Sequence, residues 1–236
     1  PTGSGGSGGQ SLPLNIRLDR FEITDSIFLT DLRAELAGSP ISGEFRGLMG
    51  GAVPVNGTIL GETDGTALRL RSGDGGAVLR AAGIYPNAYG GAMDLILRPR
   101  PGEGQYSGLL TIDNPRLRNA PAIAELLSAI SVVGLLDQMF TGEGIALGEV
   151  RVAFTLTPNV LAIQEGTALG ASMGLSLDGV YNLQSHYYDF EGVVSPLYVV
   201  NGLVGGLFTP RREGLFGFTY RLTGTPEDSN VSVNPL

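Results

Sequence analysis

Apolar and polar residues alternate with a period of two through most of this chain, and this alternation constrains its fold more than any other feature. In the first such segment, Leu14, Ile16 and Leu18 alternate with polar residues. Successive side chains of a strand point to opposite faces of a sheet, so the pattern gives one apolar and one solvated face. Similar segments continue to Asp113 and resume after Gly144, separated by turn sequences. The sequence predicts a meander of about a dozen antiparallel strands.

The alternation also assigns residues to faces. Phe28, Leu32 and Ala34 are predicted to share the apolar face of one strand, opposite Asp31 and Arg33. Further predicted strands lie at 53–60, 67–71, 77–82, 93–98, 106–112 and 160–165. We expect all of them to belong to one continuous sheet.

The composition supports an all-β fold and excludes several functions. Glycine accounts for 37 of the 236 residues, and only 16% of the residues are charged, which suits a chain with many tight turns. The net charge of −8 argues against a nucleic-acid partner, because phosphate binding needs a cationic surface. Every basic residue is arginine. The absence of cysteine excludes disulfides and thiolate catalysis, and it fits either a reducing compartment or an envelope protein without disulfides.

Two apolar segments after prolines are predicted as helices. The first, 121–140, begins at Pro121, a residue suited to a first helical turn, and Glu125 lies near its positive end. The second, 196–208, follows Pro196 and contains no charge, although it includes three glycines. The first helix is not a transmembrane candidate, because Glu125 and Asp137 leave an uncharged run of about half the ~20 residues that a span needs.

The chain divides into a short linker and one domain. Residues 1–10 have the glycine and serine composition of a flexible linker and are excluded from the fold. Residues 11–236 are predicted to form a single elongated domain. Because no leader or membrane anchor is visible, we expect the chain to be a piece of a longer protein.

An apolar face of this size has to be covered, and the sequence is compatible with two ways of covering it. The sheet can curl on itself, as a sandwich or barrel does, or acyl chains can occupy its concave face. Two helices are too few to cover a dozen strands, and each Å² of wet apolar surface costs about 25 cal/mol. The glycines within the strands permit curvature and leave room for a ligand, but they also suit a barrel corner; they are Gly43, Gly47, Gly57, Gly61, Gly108, Gly174 and Gly192.

Several segments, in their order and spacing, resemble the C-terminal region of the AsmA-like proteins. They are the runs at 82–85, 90–95 and 108–113, the Ala120-Pro121 pair with the following 125–127, and the later runs at 142–145, 179–182, 192–194, 214–217 and 233–236. The resemblance covers most of the chain from about Leu14 onward.

The resemblance implies a fold and a function. The implied fold is mainly β: a long, strongly twisted antiparallel sheet curved into a groove, with two short apolar helices packed on or capping its concave face. The implied protein belongs to the Gram-negative envelope, is anchored in the inner membrane and extends through the periplasm. Its implied activity is passive conduction of phospholipid between the two membranes, without a cofactor. An outer-membrane surface or an outer-membrane protein is the further partner that this implies.

The two apolar helices supply the candidate lipid contacts. These are Ile123, Leu127, Ile130 and Val133 on the first helix, with Leu197, Val200, Leu203, Val204, Leu207 and Phe208 on the second. Arg211 and Arg212 follow the second helix and are headgroup candidates, because guanidinium groups bind phosphates. Complementing the helix dipole and keeping the chain soluble is the other interpretation of this pair. The alternative function is an envelope scaffold or interaction module that docks an outer-membrane partner without binding lipid.

The sequence gives little support for an enzyme or a metal site. His186 is the only histidine, so a catalytic triad or histidine-rich metal site would depend on it alone. Asp189 and Glu191 share a face of a predicted strand, where they could act as paired carboxylates or lie in the solvated face. The glycine-rich run at 73–76 lacks the lysine of a phosphate loop and is predicted as a turn. We expect a non-enzymatic protein.

Overall fold

The computed structural model describes residues 13–24, 26–118, 121–129, 144–170, 173–196, 217–225 and 228–235. Within these residues, thirteen strands form one antiparallel sheet, three short strands form a second sheet, and the chain has two short helices. The mainly β fold predicted from the alternation is therefore confirmed.

The described elements are numbered in the order in which they occur along the chain. The thirteen strands of the large sheet are β1 (Leu14–Glu22), β2 (Phe28–Ala37), β3 (Ser42–Met49), β4 (Val53–Glu62), β5 (Gly65–Ser72), β7 (Ala92–Pro99), β8 (Tyr106–Asp113), β11 (Glu149–Leu156), β12 (Val160–Leu169), β13 (Met173–Asn182), β14 (Tyr188–Pro196), β15 (Phe218–Gly224) and β16 (Ser229–Pro235). The small sheet contains β6 (Ala88–Tyr89), β9 (Arg116–Leu117) and β10 (Ile145–Ala146), and the helices are α1 (Gly75–Ala81) and α2 (Pro121–Ala129).

The large sheet is an open meander. Its strands are ordered as they occur in the sequence, and every neighbouring pair is antiparallel. β1 and β16 each pair on one side only, so among the described strands the sheet does not close on itself. Of the two coverings considered from the sequence, curling into a closed sheet does not occur in this part of the chain.

A β-bulge in β2 changes which residues face inward. Asp31 adopts a φ of 48°, and two residues of β2 lie opposite one residue of β3 at this point. As a result Leu29, which is 4% exposed, faces the core. Phe28 lies on the other face, where the guanidinium of Arg20 stacks 3.7 Å from its ring centre. The prediction that Phe28 shares a face with Leu32 is wrong, because the bulge shifts the alternation by one residue.

The segment predicted as a strand at 77–82 is helical instead. Helix α1 begins after Asp74, whose carboxylate accepts a hydrogen bond of 2.8 Å from the backbone N–H of Ala77. Aspartate is a favourable residue at this capping position, because it satisfies an amide that the first turn leaves unpaired. Val78 on α1 is 5% exposed and packs against the sheet. The run at 73–76 therefore opens a helix as well as turning the chain.

Helix α2 begins at Pro121, as predicted, and the structure describes it as far as Ala129. The rest of the predicted helix at 121–140 lies outside the described residues. Pro196, predicted to open the second helix, is the last residue of β14 and pairs with Met173. The remainder of that predicted helix, 197–208, also lies outside the described residues.

Two apolar cores lie on the same face of the large sheet. The first is formed by strands from β2 to β8 together with Val78 of α1. The second is formed by β13, β14, β15 and the segment around β10, together with Leu126 of α2. Each helix therefore packs on the apolar face of the sheet, and one of the two cores lies beneath each of them.

We expect Gly57→Ala to destabilise the fold by about 1–3 kcal/mol. A β-carbon at Gly57 would overlap the backbone oxygen of Arg69 and would lie 2.6 Å from Cζ of Phe45. The overlap with a backbone atom outweighs the roughly 0.5–1 kcal/mol that alanine gains over glycine within a strand. Urea unfolding followed by circular dichroism measures this difference.

Gly174→Ala is the matched control, since Gly174 also lies in a strand, and the nearest atom of the described residues would be 3.6 Å from an added β-carbon. We expect its stability to remain within about 0.5 kcal/mol of the parent chain. Equal unfolding midpoints for the two variants would contradict the close packing described at Gly57.

Candidate functional site

The pairing register arranges the inward side chains of the large sheet into rows that cross the strands. One row lies beneath the helices and is called the covered row. It passes through Met93, Ile112, Val150, Ala168, Leu175 and Val194, each directly opposite the next. Met93 is 4% exposed, Ile112 is 2% exposed and Val194 is fully buried. The two helices and the small sheet therefore cover this row.

Two further rows run parallel to the covered row, and apart from the buried Leu70 and Tyr220 their side chains are only partly buried. Together we call them the open apolar face. Its members are Leu68, Leu95, Leu97, Leu110, Val152, Phe154, Ile163, Leu177, Phe190 and Leu222. None of these ten side chains belongs to the fully buried set, and none carries a charge.

The register makes the open apolar face continuous from β5 to β15. In one row Leu95 pairs with Leu110, and Leu110 pairs with Val152. In the other, Phe154 pairs with Ile163, and Phe190 pairs with Leu222. Seven strand-to-strand steps of ~4.8 Å give this face a length of ~34 Å. That is about twice the ~15 Å that acyl chains fill in one half of a bilayer core.

Glycines opposite aromatic residues allow the rings to lie flat against the sheet. A β-carbon at Gly108 would overlap the ring of Phe154 on the next strand, and one at Gly179 would lie 3.0 Å from Cδ1 of Phe190. The rings thus lie over the backbone of the glycines and do not stand upright from the sheet. Space above the strands is left for other apolar groups.

A third such ring belongs to Tyr220. Its hydroxyl crosses Gly192 and donates a 2.7 Å hydrogen bond to the backbone oxygen of Ser176. Burial raises the pKa of Tyr220, because the phenolate would lose its solvation. Burial likewise raises the pKa of Tyr85, which packs against the same core, to about 12.

The opposite face of the sheet carries the charges. Arg69 on β5 binds both carboxylate oxygens of Asp94 on β7. Arg221 on β15 does the same to Asp189 on β14, at 2.8 and 2.6 Å. In each pair the hydrogen bond from the guanidinium lowers the pKa of the carboxyl. The sheet therefore separates an uncharged inner surface from a charged outer one.

The structure places few of the predicted lipid contacts. Ile123 lies on α2, is partly buried and packs against the core beneath that helix. Leu127 also belongs to α2, but its side chain lies outside the described residues. The other predicted contacts and headgroup candidates lie outside them as well: Ile130, Val133, Leu197, Val200, Leu203, Val204, Leu207, Phe208, Arg211 and Arg212. The sequence analysis did not include the strand residues of the open apolar face among its candidates, although the alternation identifies most of them as apolar-face residues.

The structure places the residues considered for catalysis on an exposed turn and on the outer face of the sheet. His186 is exposed, adopts a φ of 58° and lies 2.8 Å from the Tyr181 hydroxyl through Nδ1. Asp189 is bound to Arg221, and Glu191 is exposed on the same outer face. Among the described residues, no group of three histidine, aspartate or glutamate side chains could hold a metal ion. None of the described helices has the length and apolar character of a membrane span.

The raised pKa values of Tyr85 and Tyr220 predict that the protein loses stability in alkali. Because the folded chain holds these protons more tightly than the unfolded chain, their contribution is fully present below pH 10 and declines as the pH rises toward about 12. Urea midpoints measured between about pH 8 and pH 12 should fall. The fall should be shallower in the Tyr85→Phe variant, whose side chain cannot ionise.

Tyr187→Phe provides the control, since Tyr187 is 48% exposed. Its stability should decline with pH as steeply as that of the parent chain. A Tyr85→Phe variant that declines equally steeply would show that burial of this phenol does not govern the alkaline behaviour.

No protein-family model matches this chain, and searches of curated proteins and of solved structures found no match either.

Proposed function

We propose that this chain is a non-enzymatic, periplasmic part of an AsmA-like protein that shelters acyl chains on its open apolar face. In this role it supports phospholipid transport between the inner and outer membranes, as part of a longer chain anchored in the inner membrane. The observation that carries the proposal is a continuous, uncharged and only partly buried surface that crosses eight strands.

The free-energy cost of exposing this apolar surface to water favours an apolar ligand. Contiguous exposed apolar patches above a few hundred Å² are rare in monomeric proteins and indicate binding surfaces. Ten large side chains are partly exposed along the face, and hydrocarbon would remove them from water at about 25 cal/mol per Å². An acyl chain needs no hydrogen bonds, and the described rows offer it neither charge nor buried polar partners.

The length of the face favours a track over a closed pocket. Partner residues in the register continue from strand to strand without a charged side chain between Leu68 and Leu222. A ligand could shift along the rows with little change in its contacts, so passive movement needs no cofactor and no catalytic residue. Charged headgroups would remain at the open side, in water.

Crosslinking from adjacent leucines of β8 tests the proposal. Leu110 lies on the open apolar face, whereas Leu109 lies on the outer face, where it pairs with Ile96 and Ala153. Both are leucines of the same strand and are partly buried to a similar degree. A photo-crosslinking benzoylphenylalanine at Leu110 should capture phospholipid when the chain is made in a Gram-negative periplasm, and the same group at Leu109 should not.

The readout is mass spectrometry of the crosslinked chain, purified without detergent. Lipid crosslinked to both variants would indicate nonspecific membrane contact. Lipid crosslinked to neither variant would contradict the proposal. The alternative, an envelope scaffold that docks an outer-membrane partner, predicts that the Leu110 variant captures protein without lipid.

A further inference from the structure

Two arginines stack on one tyrosine ring beside helix α1. The guanidinium carbon of Arg80, on α1, lies 4.5 Å from the ring centre of Tyr89, and that of Arg118, one residue beyond β9, lies 4.9 Å from it. Both distances are within the ~6 Å of a cation–π contact. The two cations are therefore close neighbours on a single aromatic ring.

Further contacts hold both arginine side chains in place. Arg80 donates a hydrogen bond through Nη1 to the backbone oxygen of Ala88. The stem of Arg118 lies against Gly144, where an added β-carbon would come within 2.7 Å of its Cγ. The backbone N–H of Arg118 donates a 2.9 Å hydrogen bond to the oxygen of Asn87. Side chains that are already ordered lose less conformational entropy when a ligand binds.

The segments around this ring are rich in positive charge. They include three arginines and no aspartate or glutamate; they are 75–93, 114–118 and 144–148. The third arginine, Arg116, pairs directly with Tyr89 and so lies on the same face of the small sheet. Within the described residues, neither Arg80 nor Arg118 forms an ion pair. This local positive surface favours an anion, although the whole chain has a net charge of −8.

The neighbouring carboxylates belong to other parts of the fold. Asp74 caps the backbone of α1. Asp94, Asp113 and Glu149 each adjoin a residue of the covered row, so they point to the outer face of the large sheet. Glu125 of α2 is exposed and takes part in none of the ion pairs among the described residues. The large sheet thus lies between most of these acids and the stacked arginines.

The stacked arginines lie on the elements that border the open apolar face. A β-carbon at Gly75, the first residue of α1, would lie 2.8 Å from Cβ of Met93 in the covered row, and one at Gly76 would overlap the backbone of Tyr89. Leu95, the next inward residue of β7 after Met93, already belongs to the open apolar face and is ~7 Å further along the strand. Hydrocarbon on this face and a polar group at the arginines could therefore belong to one ligand.

We propose that Arg80 and Arg118, stacked on Tyr89, bind a phosphate group. Stacking occupies the flat face of each guanidinium and leaves its N–H groups in the plane, where arginine binds phosphate through two hydrogen bonds. The headgroup of a phospholipid whose acyl chains lie on the open apolar face is one source of this phosphate, and that source rests on the proposed function. A soluble phosphate monoester is the other source.

Calorimetric titration of the full chain with three probes separates the two sources. Glycerol 3-phosphate carries the phosphate alone, dihexanoylglycerol carries short acyl chains alone, and dihexanoylphosphatidic acid carries both. If the phosphate belongs to a lipid, dihexanoylphosphatidic acid should bind at least about tenfold more tightly than either of the other probes. Equal affinities for dihexanoylphosphatidic acid and glycerol 3-phosphate would assign the site to a soluble phosphate.

Arg118→Gln tests the site itself, because glutamine keeps the Cγ that lies against Gly144 and removes the guanidinium. The affinity for both phosphate probes should fall about tenfold, and the affinity for dihexanoylglycerol should not change. Arg33→Gln is the matched control, since Arg33 is exposed on the outer face and forms no ion pair within the described residues. Its effect on affinity should stay below about twofold. Equal thermal midpoints check that both variants remain folded.

Two results would overturn the phosphate site. One is that the parent chain binds neither phosphate probe, and the other is that Arg118→Gln and Arg33→Gln weaken binding equally. Dihexanoylglycerol reports separately on the open apolar face. A chain that binds glycerol 3-phosphate but not dihexanoylglycerol would retain the phosphate site and contradict the proposed shelter for acyl chains.

Discussion

The structure depends on the hydrogen-bond ladders that hold thirteen antiparallel strands in sequential register. Each ladder fixes which residues lie opposite one another, so alternation within single strands becomes rows that run across the sheet. A shift of one residue in any strand would move its leucines to the charged outer face. Covering by the helices, continuity of the open apolar face and exposure at the β1 edge all follow from this register.

Glycines have a second role here besides turning the chain. At Gly108 and Gly179 an aromatic ring of the next strand occupies the space that a side chain would fill. The ring contributes its apolar area to the sheet without rising above it, and the strands gain a neighbour to pack against. The same pairs that stabilise the register thus leave space above this face of the sheet.

The sequence predicted the fold well and the site less well, for physical reasons. Alternation is a local property, so the strands and the apolar face could be recognised from it, and Pro121 marked the start of α2. The bulge at Asp31 depends on a positive φ that many residues avoid, and it shifts Leu29 into the core in place of Phe28. Helix α1 is capped by Asp74, and its first two amides donate to the backbone oxygens of Gly91 and Gly90, a contact that alternation along the chain does not reveal.

Register was the information that a single sequence could not supply. Nothing within the Leu109-Leu110 pair states which leucine faces inward, and the answer comes from their partners on β7 and β11. The candidate lipid contacts were placed on the two predicted helices because these segments are apolar on more sides than a helix packed on one sheet would bury. In the structure Ile123 and Leu126 use that surface to cover a core, and the strand residues form the partly exposed apolar surface.

The positions of the helices also explain why the two ends of the sheet differ. α2 packs against β16 and covers the inner face at that edge, whereas α1 packs beside β4, over the core of strands β2 to β8. Among the described residues, helical cover therefore closes one end of the apolar rows and leaves Leu14 and Leu18 at the other end exposed.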